Sequence, residues 1–288
     1  MELLYISKWG GTFDFTDNEY CWLINADGIT TAASDISAVV VGGIDGDSIN
    51  NIQAQPRGII LDLRVKQHVN VEEAKRAILN IIKIKQSCTL QWTQNNRVWT
   101  INGVVDSVTM PRFENGVTMQ ISIHCGQPFW EDLNEVVSEI SEAINLHYFT
   151  TELGGMLYFV ENGIPLGEYD TSRTREFNNT GDVAVGMTIE ILALKTVTNP
   201  IMYDQNGNYF GVGYGSKSLE MYAGDKLIIN TNKGQKSVML NDVSQLDKIK
   251  PQSTWLQLEA GENEFSINSD DSDTDNMVFT LNYKQRYI

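Results

Sequence analysis

The sequence has little of what most chemistry needs. Its three cysteines, Cys21, Cys88 and Cys125, are scattered over 288 residues with no CxxC pair. An odd, dispersed set does not make a disulfide framework and reads as reduced, buried thiols of a protein made in a cytoplasm. The three histidines, His68, His124 and His147, are as widely spread, so the closely spaced ligands of a zinc site are missing. Long hydrophobic runs are missing too. The longest, such as Ala38–Val41 and Ile78–Ile82, fall far short of the roughly 20 residues a bilayer span requires. Positive charge is scarce: 21 basic residues face 37 acidic ones, for a net −16. That balance argues against a protein that grips nucleic acid, because phosphate binding needs a basic surface. It argues equally against docking on anionic lipid. Met1-Glu2-Leu3-Leu4 lacks a basic n-region and a long apolar core, so no Sec leader is expected.

What is present is period-two alternation, the mark of half-buried strands. Val117, Met119, Ile121, Ile123 and Cys125 share one face, with Thr118, Gln120, Ser122 and His124 on the other. Cys88, Leu90 and Trp92 alternate with polar residues, and Ile59, Leu61, Leu63 and Val65 oppose Asp62, Arg64 and Lys66. Turn residues separate the runs at Asn95-Asn96 and Glu114-Asn115-Gly116, so residues 88–125 read as a β-meander. One helix is predicted over 71–85. Asn70 is its N-cap and Glu73 its capping-box partner, with Glu72 at the positive end and Lys83 and Lys85 at the negative one. Ala74, Ile78, Ile81, Ile82 and Lys85 fall on one face, which should pack on a sheet.

Pro128-Phe129-Trp130 ends the first half. Residues 131–146 read as a short helix or an irregular linker. Beyond residue 150 short strands return at Thr188–Leu194, Lys226–Asn230, Lys236–Leu240, Trp255–Leu258 and Met277–Tyr283. Turn signals lie between them at Glu161-Asn162-Gly163, Asn178 to Gly181, Gln205-Asn206-Gly207, Asn232-Lys233-Gly234 and Ala260 to Asn263. This spacing indicates a β-sandwich. The charge divides at the same place: residues 1–130 hold 13 acids and 10 bases, residues 131–288 hold 24 and 11. Two domains follow, 1–132 and 133–288.

The candidate sites each fail a geometric test. His124 and Cys125 are neighbours in a strand and point to opposite faces, so they cannot form a dyad. Gly211-Val-Gly213-Tyr-Gly215-Ser-Lys217 lacks the helix N-terminus that a phosphate loop needs. Asp271-Ser-Asp273-Thr-Asp275 has the spaced acids of a calcium loop, but Asn276 replaces its glycine and Asn282 its final glutamate. No nucleophile elbow, P-loop or HExxH occurs. Six Trp and eleven Tyr read first as core and interface material, and second as a sugar-stacking surface.

Read in order, several strings resemble the distal tail (Dit) proteins of siphophages. In the first half they are Arg57-Gly-Ile-Ile-Leu-Asp-Leu before the helix, Trp99-Thr-Ile-Asn-Gly-Val-Val, and Met119-Gln-Ile-Ser-Ile-His-Cys-Gly-Gln-Pro-Phe-Trp130. In the second half they are Phe177-Asn-Asn-Thr-Gly-Asp182, Ile189-Glu-Ile-Leu-Ala-Leu, Asn199-Pro-Ile, the run Ala223 to Val238, Trp255 to Phe265, and Tyr283-Lys-Gln-Arg-Tyr287. The first 50 residues match least.

The resemblance implies a mainly β protein with one packed α-helix. Its N-terminal β-sandwich or split-barrel-like domain would build a ring, and its C-terminal domain would be a galectin-like β-sandwich. It implies a structural protein rather than an enzyme, with no cofactor and no metal. Such a chain forms a hexameric ring at the distal end of the virion's tail. The ring joins the tail tube to the baseplate hub or tail-associated lysin, and the tape measure and a receptor-binding protein are further partners. DNA passes through the channel without specific binding, and no membrane is involved. Residues expected at structural or interface positions are Ile78, Ile81 and Ile82 on the helix. Trp99, Pro128, Phe129, Trp130 and Trp255 complete the set. The alternative reading is a carbohydrate-binding module for host cell-wall glycans. The sugar motif of galectins, a His–x–Asn–x–Arg cluster, is not found around His147, and His68-Val-Asn70 lies in the other domain.

Overall fold

The computed structural model describes residues 2–30, 32–40, 42–43, 45–110, 118–137, 174–271 and 276–288. They form two compact units: Met1–Asn134 with Arg286–Ile288, and Glu135–Gln285. The chain is mainly β, with one α-helix among the described residues.

The first unit holds β1 (Glu2–Ser7), β2 (Thr12–Asp14), β3 (Cys21–Asp27), β4 (Ser34–Val40), β5 (Asp47–Ala54), β6 (Arg57–Val65), α1 (Val71–Ile81), β7 (Ser87–Gln94), β8 (Arg97–Thr109), β9 (Thr118–Cys125) and β10 (Trp130–Asp132). Its main sheet runs β2-β1-β7-β8-β9-β6-β3, antiparallel at every pairing. The alternation explains the burial. Ile59, Leu61, Leu63 and Val65 on β6 and Met119, Ile121, Ile123 and Cys125 on β9 are the buried positions of their strands. The meander over 88–125 forms, turning at Asn95 and Asn96, both with positive φ. Val117 and the Glu114-Asn115-Gly116 turn lie outside the described residues.

The helix is shorter than 71–85. The Asn70 side chain accepts a hydrogen bond from the Glu72 N–H at 2.9 Å, so Glu72 rather than Glu73 completes the cap. The last helical residue is Ile81; Ile82 is extended, and Lys85 sits at φ 63. The Lys85 N–H donates to the Val105 carbonyl at 2.9 Å, which turns the chain out of the helix and into β7. Lys83 and Lys85 therefore lie past the helix end. Ala74, Ile78 and Ile82 are buried and Ile81 is half-buried, so the packed face is the one the spacing indicates.

Residues 131–146 read from sequence as helical or irregular, and the structure differs. Here β10 pairs with β8, and β11 (Val136–Val137) opens the second unit; residues 138–146 lie outside the described residues. The helical spacing is overridden because the backbone is taken up by sheet partners. The last residues also belong elsewhere than a 133–288 domain implies. Arg286–Tyr287 pairs with β10, and the Arg286 guanidinium contacts Glu131 Oε1 at 2.7 and 2.9 Å. The second unit is therefore inserted within the first.

The second unit continues with β12 (Thr174–Asn179), β13 (Thr188–Ala193), β14 (Val197–Thr198), β15 (Ile201–Asp204), β16 (Tyr209–Gly211), β17 (Glu220–Met221), β18 (Lys226–Asn230), β19 (Ser237–Leu240), β20 (Val243–Ser244), β21 (Gly261–Asn268) and β22 (Met277–Tyr283). A six-stranded sheet, β11-β22-β13-β18-β19-β20, and a four-stranded one, β12-β21-β15-β16, share one core. This is the two-layer sandwich the strand spacing indicates. Residues 255–258 do not form a regular strand; only Leu258 bridges, to Val185. The Glu161-Asn162-Gly163 turn and His147 lie outside the described residues.

Candidate assembly surfaces

The residues expected at structural or interface positions mostly face inward. Ile78, Ile82, Pro128 and Trp130 are buried. Ile81, Trp99, Phe129 and Trp255 are half-buried. Trp130 joins an aromatic cluster in the first unit: its ring lies 5.6 Å from Trp92, which lies 5.0 Å from Trp99, which meets Tyr287 at 6.1 Å. Trp255 packs on Phe210 at 4.7 Å, with Lys236 Nζ 5.2 Å from its ring centroid. Neighbours thus occupy the ring faces that a stacked sugar would need.

The candidate chemical motifs resolve into packing. Cys125 is buried while His124 is exposed, as alternation requires. Gly211 to Lys217 forms a tight turn, with Tyr214 and Lys217 bridged, rather than a strand-to-helix phosphate loop. Asp271 accepts from the Thr198 N–H, while Asp273 and Asp275 lie outside the described residues. Among the described residues, no group of His, Cys, Asp or Glu is placed to hold a metal ion. No described helix is long and apolar enough to cross a membrane.

The three thiols are unpaired and buried in the first unit. Burial pushes Cys88 up to about 12, reinforced by Cys125, and pushes Cys21 and Cys125 to about 11. The same desolvation lowers the Arg57 pKa. An unfolded chain releases these thiol protons from about pH 9, whereas the folded one holds them until about pH 11 to 12. The folded state binds more protons in that window, so its stability falls as pH rises through it. Urea midpoints read by tryptophan fluorescence should drop between pH 9 and 11, and drop less steeply in Cys125→Ala. Equal slopes in both proteins would refute this account.

Arg57 also fixes the base of a projection. Its Nη1 donates to the carbonyls of Gly28 and Ile29 at 3.2 and 2.7 Å, and Trp130 Nε1 donates to the Ile29 carbonyl at 2.9 Å. Gly28 has φ +78, and a Cβ there would lie 2.1 Å from the Gly58 carbonyl oxygen, so only glycine fits this close approach. From this clamp the chain runs out into β4 and back along β5. Among the described residues these strands pair only with each other, and every residue in both is exposed.

Their register sorts the side chains. Ile36 sits opposite Ile52 and Ala38 opposite Ile49, with the shift at Ser37/Ala38 absorbing the extra Asn50. Ile49 and Ile52 are three residues apart and would point to opposite faces in a regular strand. The bulge puts both opposite apolar partners on one face. Asp35, Gln53, Ser37, Asn51 and Ser48 line the other face, along with Val39. The sequence shows this poorly, because the bulge breaks the period that would betray an amphipathic strand.

A second feature lies on the main sheet. A groove of about 570 Å³ is lined by Ile6, Lys8, Thr89, Val104 and His124, with Gly103 and Gly126 also in its lining. Beside it stands Trp9, 82% exposed, with Lys8 Nζ 5.9 Å from its ring centroid.

Comparison with known proteins puts these surfaces in context. Residues 180–287 match the family described as "Siphovirus-type tail component, C-terminal domain". No curated protein matches the chain. Among solved structures, the Dit protein (gp 19.1) of phage SPP1, called a paradigm of the hub adsorption apparatus in Gram-positive infecting phages, is 12% identical. The alignment covers 99% of both chains, with a TM-score of 0.68. A chain of the phage P2 baseplate in its activated conformation with Ca is 13% identical over 100% of this chain and 99% of that one, with a TM-score of 0.45. The second unit thus matches the siphovirus-type tail component C-terminal domain, and the chain as a whole shares the fold of the SPP1 Dit protein.

Proposed function

We propose that the chain assembles into a closed ring of about six copies at the distal end of a siphophage tail. There it joins the tail tube to the baseplate hub or tail-associated lysin. The first units build the ring, and the second units offer attachment for a receptor-binding protein. The match of residues 180–287 to the tail-component family carries this reading. The exposed β4–β5 hairpin supports it, because an isolated two-stranded hairpin is marginal in water and gains stability from a partner. Charge supports it too. Six copies at −16 each carry about −96, which keeps rings soluble.

Mass photometry of the purified full-length protein, alone and with its hub partner, tests the reading. Particles of about six chain masses are expected. A protein that stays monomeric at high concentration and ignores the hub would overturn it.

A further inference from the structure

The β4–β5 hairpin and the groove on the main sheet are both partly apolar and are opposite in charge. Residues 32–56 carry three acids, Asp35, Asp45 and Asp47, and no base. Asp45 and Asp47 lie at the tip, and the body of one face is aliphatic, ending on Val40, which is 78% exposed. The groove has the opposite character. Ile6 and Val104 give it apolar walls. Two turns at its end carry Lys8, Lys83 and Lys85, all exposed. These turns are held together, since the Lys8 N–H donates to the Ser87 carbonyl and the Gln86 N–H to the Lys83 carbonyl, at 3.1 and 3.3 Å. Trp9 and Ile84, both exposed, stand among these lysines, and the four strands that line the groove carry two acids, Glu2 at the far end of β1 and Asp106 on β8.

We propose that the apolar face of the β4–β5 hairpin of one copy docks in the groove of a second copy between Ile6 and Val104, with its acidic tip set against Lys8, Lys83 and Lys85. This rests on the ring reading and deepens it by naming the two surfaces that meet. Aliphatic side chains leave water against the groove walls. The carboxylates of Asp45 and Asp47 approach ammonium groups in place of solvent, which steers the encounter as well as holding it. Arm and groove are different surfaces, so each copy donates one and receives one. A contact of that kind is head-to-tail and closes into a ring when the rotation per copy allows. A self-complementary patch would stop at a dimer. Docking also covers the exposed apolar hairpin, which as a free edge invites uncontrolled pairing.

The test uses three variants of the full-length chain. Ile36→Asp with Ile52→Asp spoils the apolar face of an exposed hairpin, so circular dichroism and melting should stay as in wild type. Asp45→Lys with Asp47→Lys reverses the tip, and Lys83→Asp with Lys85→Asp reverses the receiving turns. Each should weaken assembly by about 30-fold or more, the scale of a lost hot spot. Mixing the two charge-reversed proteins with each other should restore assembly, because each then carries one complementary surface for its neighbour. Rings that persist in the Ile36/Ile52 variant would overturn the docking while leaving the ring reading intact. A wild type that is monomeric under every condition would sink the ring reading itself. A Val40→Cys, Val104→Cys protein gives the last readout. Disulfide-linked multimers support docking between copies, whereas a concentration-independent link within one chain would show the hairpin folding back on its own groove and overturn the proposal.

Discussion

Ile78→Asp should unfold the first unit and leave the second standing. Ile78 is 0% exposed, in a core with Ile59, Leu61 and Ile121, and a carboxylate there has neither water nor a cation to meet. Burying an unpaired charge costs several kcal/mol; about 4 kcal/mol is a fair figure, a large share of the stability of a unit this size. The melting temperature of that unit should fall by about 15 °C. Ile78→Val is the control, since it removes one methylene and costs about 1 kcal/mol. The two units report separately. Of the six tryptophans, Trp9, Trp22, Trp92, Trp99 and Trp130 lie in the first unit and Trp255 in the second. Tryptophan emission therefore follows the damaged unit, and far-UV circular dichroism should retain the signal of the intact sandwich. A soluble Ile78→Asp protein with unchanged emission would mean the helix presents a different face.

Gly213→Ala should do comparable harm to the second unit. Gly213 has φ +97, and a Cβ there would stand 2.0 Å from Asn199 Oδ1 and 2.7 Å from the Leu219 nitrogen. Those two atoms are hydrogen-bonded to each other: the Leu219 N–H donates to Asn199 Oδ1 at 2.8 Å, and Ser218 Oγ donates to the same oxygen at 3.0 Å. The methyl group therefore breaks a local network as well as straining the backbone. Overpacking and an unfavourable φ together cost about 3 kcal/mol. Gly215→Ala separates the two effects. Gly215 also has positive φ, but no described atom lies within 4 Å of the place its methyl would take, so only about 1 kcal/mol of backbone strain is expected. Differential scanning calorimetry should show the second unit's transition moving far more in Gly213→Ala than in Gly215→Ala. Equal shifts would remove the close-packing explanation.

These glycines show where sequence reasoning worked and where it stopped. The spacing at 211, 213 and 215 fails as a phosphate loop on pattern alone, but the reason for Gly213 lies in Asn199 and Leu219, which local pattern does not connect. Periodic elements are legible because burial follows period. The faces of β6 and β9 and the Ala74–Ile78–Ile82 stripe need nothing beyond alternation or helical spacing. The helix end is not legible, because Lys83 and Lys85 suit a C-terminus by charge while a backbone bond to Val105 turns the chain earlier. Residues 131–137 mislead for a similar reason: strand partners 99–100 and 282–283 outweigh helical spacing. The candidate assembly surface is the least visible. Its hairpin hides its apolar face behind a bulge, and its groove forms only where β1 pairs with the distant β7–β9 meander.

The return of Arg286–Tyr287 to β10 has a consequence for the chain's birth on the ribosome. Glu131 and its Arg286 partner are 155 residues apart. At synthesis rates of about 5–20 residues per second, β10 waits roughly 8–30 s for its neighbour to be made. During that interval the inserted sandwich is made up to its last strand, β22, which ends three residues before Arg286, while the earlier unit keeps one strand edge unsatisfied. The last strand then acts as a latch: translation that stops within the sandwich leaves the first unit unlatched, so completion of that unit reports that the inserted one has been made.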